Sequence, residues 1–325
     1  MNCNLCEGHV LHRVADTDSK SGLPLGVFLC DACGLIQQAP LPDEEALKDY
    51  YSSHYRLDYK GTRQPRPKHV HRSARQAVSR LGFLGRAGVC RGTLLDIGAG
   101  SGEFVALARE AGFHASGIEP NRGYSEYARA EYAAPVSTGG LDDAEGGHDV
   151  ITLFHVLEHL RSPAEVFARL HSLMNPQGRV FIEVPWILSG AISPTNRYFK
   201  AHLFYFDVET LAACASRHFE VVHTEARGNL RMLLKPREVP GALRLPPPGY
   251  AVDVHARLSR QGWFGYLIRG QGWRKPFTKL GRIVSEHRIR GFSGRRILAS
   301  FQSRPAPGIP ETAVRVGGDG CPLTG

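Results

Sequence analysis

The segment Leu94-Leu95-Asp96-Ile97-Gly98-Ala99-Gly100-Ser101-Gly102-Glu103-Phe104 constrains the fold more than any other part of this chain. Thr93–Ile97 is a short apolar run that reads as a strand. It leads into three glycines at alternate positions, which permit a tight turn and a close approach of backbone to a ligand. Glu103–Ala111 then reads as a helix stopped by Gly112. The alternation continues with a strand at Phe113–Ile118, a helix at Arg122–Tyr132 and a buried strand at Asp149–Phe154. A capping box, Ser162-Pro163-Ala164-Glu165, opens a helix to about Met174, and Arg179–Val184 is the next strand. Asp207 could cap a helix reaching Arg217. Phe219–Thr224 and Leu230–Leu234 read as two strands about a turn at Gly228-Asn229. The expectation is an α/β fold, a doubly wound and mostly parallel sheet closed by an antiparallel edge.

The glycine pattern is G-x-G-x-G, with Glu103 where the dinucleotide fingerprint wants a small residue. Asp96 stands at the strand's end, where a carboxylate helps to position a cationic ligand. Glu119, in Gly117-Ile118-Glu119-Pro120-Asn121, ends the second strand, where an acid accepts hydrogen bonds from ribose hydroxyls; that chemistry suits NAD equally. L-L-D-I-G-A-G-S-G-E-F, G-I-E-P-N, H-D-V-I-T-L-F-H-V-L-E-H-L and G-R-V-F-I-E-V-P, in that order, resemble class I S-adenosylmethionine-dependent methyltransferases over roughly residues 93–236. The resemblance implies a seven-stranded Rossmann-like sheet. It also implies that Asp96, Gly98, Gly100 and Gly102 surround the methionine part of the cofactor. By the same resemblance Glu119 holds the ribose, Pro120 packs on adenine, Gly140 and Leu141 line its edge, and Phe154 and His155 lie beside the sulfonium.

His155, Glu158 and His159 are spaced i, i+3, i+4, which on a helix puts all three on one face. With His202 they could form a divalent-metal site. The stretch is similar to the E-x-x-E-H segment of ubiquinone-pathway O-methyltransferases and small-RNA 2′-O-methyltransferases, which use a metal. His155 stands in place of the first Glu, a departure that favours Mn- or Zn-like ions over Mg. The plainer reading is that Glu158 and His159 brace the wall of the site. His202 and Tyr205, in His202-Leu203-Phe204-Tyr205-Phe206, are the candidates for substrate contact or general base; a histidine near its ordinary pKa of about 6.5 takes a proton at neutral pH. Otherwise this is a packing segment.

Cys3-x-x-Cys6 and Cys30-x-x-Cys33 can give four thiolates to one tetrahedral zinc, a closed and therefore structural site. A redox pair is the alternative. Residues 30–51 resemble the zinc-binding leader of bacterial sugar, glycan and natural-product methyltransferases, in which it helps to cover the substrate. That would bring Tyr50, Tyr51 and Tyr55 toward the site, unless they are core. The chain divides into a zinc module (1–40), a helical bridge (41–92) with a helix at about His69–Leu81 stopped by Gly82, the catalytic domain (93–236) and a C-terminal extension (237–325).

The net charge of +9 belongs to that extension. Residues 237–325 carry 15 Lys+Arg against 5 Asp+Glu, whereas residues 1–236 are nearly balanced. Residues 256–296 interleave these cations with aromatics, and Phe277, Leu280, Ile283, Val284 and His287 share one helical face. Such a segment suits an anionic membrane surface or nucleic acid; the ordinary alternative is a helix packed on the catalytic domain. The stretch from about Arg304 is expected to be disordered. With no signal peptide, no spanning apolar run and cysteine pairs spaced for metal binding, a cytoplasmic protein is expected. The leading reading is methyl transfer to an O or C atom of a small molecule such as a sugar, glycan or secondary metabolite. An RNA methyltransferase and a non-catalytic cofactor-binding partner protein are the alternatives. Oligomeric state is not written in the sequence.

Overall fold

Two periodicities build the chain. Apolar runs of five to seven residues form strands, and the amphipathic segments between them form helices that cover the strands. The computed structural model describes residues 2–9, 11–43, 64–268, 270 and 272–302. Tyr50, Tyr51, Tyr55, the first bridge helix and the terminal stretch lie outside the described residues. In chain order the structure has β1 (Leu11–Thr17), β2 (Pro24–Cys30), β3 (Ile36–Gln38), α1 (Pro67–Arg86), β4 (Gly92–Ile97), α2 (Glu103–Glu110) and β5 (Phe113–Glu119). There follow α3 (Arg122–Tyr132), β6 (Val136–Thr138), β7 (His148–Phe154), α4 (Pro163–Leu173), β8 (Met174–Pro185), β9 (Phe204–Tyr205) and α5 (Val208–Ala215). The last elements are β10 (Phe219–Arg227), β11 (Asn229–Pro236), α6 (Tyr250–Ser259), α7 (Trp263–Ile268), α8 (Lys275–Arg288) and α9 (Gly294–Gln302).

Seven strands form one sheet in the order β10-β11-β8-β7-β4-β5-β6. β4, β5 and β6 are mutually parallel, and β11 runs antiparallel to both β8 and β10. This is the doubly wound, mostly parallel sheet with an antiparallel edge. A second sheet, β1-β2-β3-β9, is antiparallel throughout.

The chain forms two compact units. One comprises Met1–Glu44, Leu153–Ser172 and Pro176–Thr278. Its small sheet buries Leu25, Val27, Leu29 and Ile36 against Ile187, Leu188 and Tyr205, and against Val254 and Leu258 of α6. The boundaries drawn from the sequence at 40 and 237 thus run through a single hydrophobic core. The first 40 residues are not a free-standing module, because their sheet takes β9 from the distant segment 204–205.

The other unit comprises Glu45–Thr152, Leu173–Asn175 and Lys279–Gly325. In it α1 runs on past Gly82 to Arg86. Gly82 does not stop the helix, because Phe83 and Leu84 continue the buried face and the packing outweighs the cost of about 1 kcal/mol for an internal glycine. α9 packs here as an ordinary appended helix. Ile297 and Leu298 are buried, the Phe301 ring lies 5.3 Å from that of His71, and Glu286 of α8 forms a bidentate pair with Arg72 of α1 at 2.5 and 2.8 Å.

Candidate active site

Three neighbouring parallel strands end side by side, and the residues the sequence assigned to the cofactor stand on their carboxyl ends. Asp96 and the glycines follow β4, Glu119 and Pro120 follow β5, and Gly140 and Leu141 follow β6. Gly98, Gly100 and Gly102 all have positive φ (+73°, +57° and +83°), a region in which a side chain would strain the turn. At Gly102 a Cβ would also lie 2.6 Å from the Cβ of Ala128. The turn is fastened to β5: the amides of Gly98 and Ala99 both donate to Ile118 O, at 2.8 and 3.0 Å. Gly117 was not singled out by the sequence reasoning. A Cβ there would meet Ala99 Cβ at 2.6 Å, so its smallness lets the turn sit close on β5.

Glu119 is 2% exposed. Its Oε2 accepts from Gly100 N at 2.8 Å and its Oε1 from Asn121 N at 3.1 Å, so the acid and the glycine turn form one hydrogen-bonded frame. Pro120 is exposed, and Gly140 and Leu141 are half-buried, which leaves them accessible to a bound group. Asp96 is 3% exposed and accepts from Thr152 Oγ1 at 2.6 Å. Burial pushes its carboxyl up to about 7, against the hydrogen bond from Thr152 and the charge of Arg80, with the Glu119 charge adding to the rise.

In the unfolded chain Asp96 would lose its proton near 3.8. Between that value and about 7 the fold holds the proton more tightly than the unfolded chain does. Stability of the ligand-free protein should therefore fall as pH rises through this window. At about 1.4 kcal/mol per pH unit the loss is on the order of 4 kcal/mol in total. Asp96→Asn should flatten that slope in urea titrations run across the window; a slope unchanged by the substitution would exclude Asp96 as its source.

The second group of candidates lies in the other unit. Phe154 ends β7, half-buried and edge-on to Phe181 at 5.0 Å. The next residues do not form the helix that the i, i+3, i+4 spacing suggested. His155 adopts φ +57° and only a single 3-10 turn, Leu157–His159, follows. His155 is anchored by its backbone N–H to Glu183 O at 2.8 Å. Its ring stands 3.4 Å from Glu158 through Nδ1 and 3.4 Å from Glu183 through Nε2. Burial opposes the imidazolium, but these two carboxylates prevail and raise its pKa to about 9. These contacts favour the imidazolium and make His155 a partner of the two carboxylates.

Glu158 is 1% exposed, and neither of its carboxylate oxygens has a hydrogen-bond partner among the described residues. Burial works against its charge, yet His155 and the neighbouring His159 and His202 hold it down to about 2. The His155 imidazolium at 3.4 Å is one cationic partner of this buried carboxylate; a metal ion would be a second. The surrounding donors suit one. His159 Nδ1 donates to Ala201 O at 2.6 Å, which fixes the tautomer and turns the Nε2 lone pair inward. Glu158, His159 and His202 bring one ligand atom each to within 4.8 Å of one another. The cluster expected from the sequence thus forms without His155, which pairs with the carboxylates instead.

His202 does not hold its ordinary pKa. Burial above all, with His159 beside it, pushes it down to about 3. It is a neutral imidazole at any physiological pH, apt as a metal ligand and too weak a base to act alone. Tyr205 is also corrected. Its buried hydroxyl donates to Phe199 O and accepts from Phe199 N, both at 3.0 Å, and burial raises its pKa. It clasps the backbone and is not placed for catalysis.

Sequence reasoning missed the residues that position His202. Gln38 Nε2 donates to the carbonyls of Phe199, Lys200 and His202 at 3.1, 2.9 and 2.7 Å. Ser19 Oγ accepts from the amides of Arg197 and Tyr198, and Asp18 accepts from that of Lys200. Leu203 N donates to Glu158 O at 2.8 Å, closing the loop onto the cluster. A glutamine and a serine 160–180 residues away leave no local sequence signal.

The four cysteines converge. Cys3 and Cys33 Sγ are 3.5 Å apart, as are Cys6 and Cys30 Sγ, and all four lie within 4.8 Å of one another. Tetrahedral zinc with bonds of about 2.3 Å needs sulfurs about 3.8 Å apart, so the donor set fits. Gly34, at φ +76°, makes the knuckle after Cys33, and Gly34 N donates to Cys30 O at 2.8 Å.

Comparison with known proteins agrees with this geometry. Residues 67–224 match the family model described as a methyltransferase domain. The ubiquinone biosynthesis O-methyltransferase of Pseudomonas paraeruginosa is 30% identical over 128 residues, covering 37% of this chain and 51% of the relative. The C-methyltransferase NovU of Streptomyces niveus is 23% identical over 224 residues, covering 65% of this chain and 50% of the relative. The chain thus spans about half the length of the curated relatives it matches. A Burkholderia thailandensis 1,6-didemethyltoxoflavin-N1-methyltransferase structure superposes with a TM-score of 0.46 at 18% identity, covering 71% of this chain and all of that one. Residues 67–224 thus resemble the methyltransferase-domain family, and the sheet order and strand-end residues agree with that likeness.

Proposed function

We propose that this protein transfers a methyl group from S-adenosylmethionine to an oxygen or carbon atom of a small acceptor, such as a sugar, glycan or secondary metabolite, in the cytoplasm. The observation that carries the reading is the frame of Gly98, Gly100, Gly102 and Glu119 at the ends of β4 and β5, with the buried Asp96 at the end of β4 beside it. S-adenosylmethionine supplies an electrophilic methyl group. Glu119 would accept from its ribose hydroxyls, Pro120, Gly140 and Leu141 would border its adenine, and Asp96 would gain a compensating charge from its cationic methionine end. The chain passes directly from β7 through Phe154 to the His155–His159 stretch. There Glu158, His159 and His202 would hold a divalent cation, whose Lewis acidity lowers the pKa of an acceptor hydroxyl. Cys3, Cys6, Cys30 and Cys33 would hold a structural zinc.

Calorimetry with S-adenosylmethionine and with NAD tests the reading. The wild type should bind the sulfonium compound and not NAD, and Glu119→Ala should weaken that binding by about 1.5–3 kcal/mol, the worth of hydrogen bonds to a charged group. Preference for NAD would end the proposal. Cofactor binding with no S-adenosylhomocysteine formed across a broad acceptor panel would favour a non-catalytic partner protein.

A further inference from the structure

Two short helices carry their apolar side chains outward. On α7, Trp263, Phe264, Leu267 and Ile268 are 53%, 74%, 44% and 58% exposed. They follow i, i+1, i+4, i+5 and so share one side of the helix, while Tyr266 is buried on the other. On α8, Phe277, Leu280 and Ile283 are 70%, 62% and 51% exposed, and they too share a face. α8 touches its unit near its C-terminal end, through Glu286 on Arg72, while Lys275–Ile283 are exposed. A helix stabilised by burial in its own domain has the reverse arrangement, with its apolar stripe inward. Trp273, between the two helices, is also 54% exposed, with the Arg274 guanidinium over its ring at 5.1 Å.

Charge selects the partner. Residues 254–302 contain eleven Lys+Arg and one acid, Glu286, which is already paired with Arg72. Arg274, Lys275, Lys279 and Arg282 are exposed among the outward apolar residues. We propose that the segment from Trp263 to Ile283 is a membrane-docking element that seats on an anionic lipid bilayer. The tryptophans and phenylalanines would enter the interface and the cations would meet lipid phosphates. Nucleic acid would satisfy the cations and stack on the aromatic rings, but Leu267, Ile268, Leu280 and Ile283 have no π face and gain nothing against a phosphodiester chain. Hydrocarbon satisfies all of them. Among the described residues no helix is long and apolar enough to cross a membrane, so the contact is interfacial.

Vesicle flotation of the full chain tests this, using phosphatidylcholine vesicles with and without phosphatidylglycerol. The protein should float with the anionic vesicles, and the fluorescence of Trp263 and Trp273 should shift to the blue. Phe264→Ser combined with Phe277→Ser should reduce partitioning at least about tenfold. Arg274→Gln combined with Lys279→Gln should reduce it about fivefold per charge. All four side chains are exposed, so both variants should keep the wild-type circular dichroism and melting temperature. Absence of flotation would overturn the proposal, as would flotation indifferent to the phenylalanines. Tight binding of a single-stranded RNA oligomer without vesicle binding would do the same. So would a self-association, seen by sedimentation, that the phenylalanine variant abolishes in a protein that ignores vesicles.

Discussion

Cys33→Ser should lower the melting temperature by roughly 10–20 °C, the shift that a loss of about 5 kcal/mol produces in a domain of this size. Three thiolates and a hydroxyl hold zinc far more weakly than four thiolates, and the strands that depend on the ion are short. β3 has three residues and β9 two. Cys30 ends β2 and Cys33 opens the knuckle before β3, so a bound ion would fix the turn that pairs them. A chromogenic zinc assay should find about one ion per wild-type chain and none in the variant. A chelator should reproduce the loss of stability in the wild type. A variant that melts with the wild type and retains its metal would show that the four sulfurs are packing residues only.

Glu158→Gln should act on turnover and not on cofactor binding. The substitution keeps the shape of the side chain but removes the one carboxylate of the Glu158–His159–His202 group, while His155 retains Glu183 as a partner at 3.4 Å. Turnover, read as S-adenosylhomocysteine formed, should drop by about two to four orders of magnitude. The dissociation constant for S-adenosylmethionine should change by less than about twofold, because the variant touches none of the strand-end hydrogen bonds. Titration with Mn2+ should show a second, weaker site in the wild type that the variant lacks. Equal loss of cofactor affinity and turnover would mean that Glu158 supports the fold and holds no ion.

What could be read in advance was local. The glycine turn, α3 at Arg122–Tyr132 and the N-cap at Asp207, whose carboxylate accepts from Thr210 N at 3.0 Å, each depend on residues within a few positions of one another. The cysteine pairs belong to the same class, because their spacing carries the geometry of the ion. What could not be read depended on distant partners. Gly82 has the mark of a helix end, but the packing of Phe83 and Leu84 overrides it. The spacing of His155, Glu158 and His159 suggests a helix, but Glu183 fixes His155 at a positive φ. The pKa of His202 follows from burial by segments far away in sequence, and the appeal of Tyr205 as a base disappears once its hydroxyl meets Phe199. In the extension the amphipathic pattern was visible, but only the structure shows that the apolar side of α8 faces water.

The Gln38 amide ties the strand that follows the cysteine cluster to the loop that carries His202. It sits on the strand directly after the Cys33 knuckle and grips the three carbonyls that hold His202 in place. An oxidant that strips the thiolates, or a cell starved of zinc, would loosen that strand, release the grip and let the imidazole drift. Under the proposed function, turnover would then fall while the hydrogen bonds of the glycine turn and Glu119 stay in place.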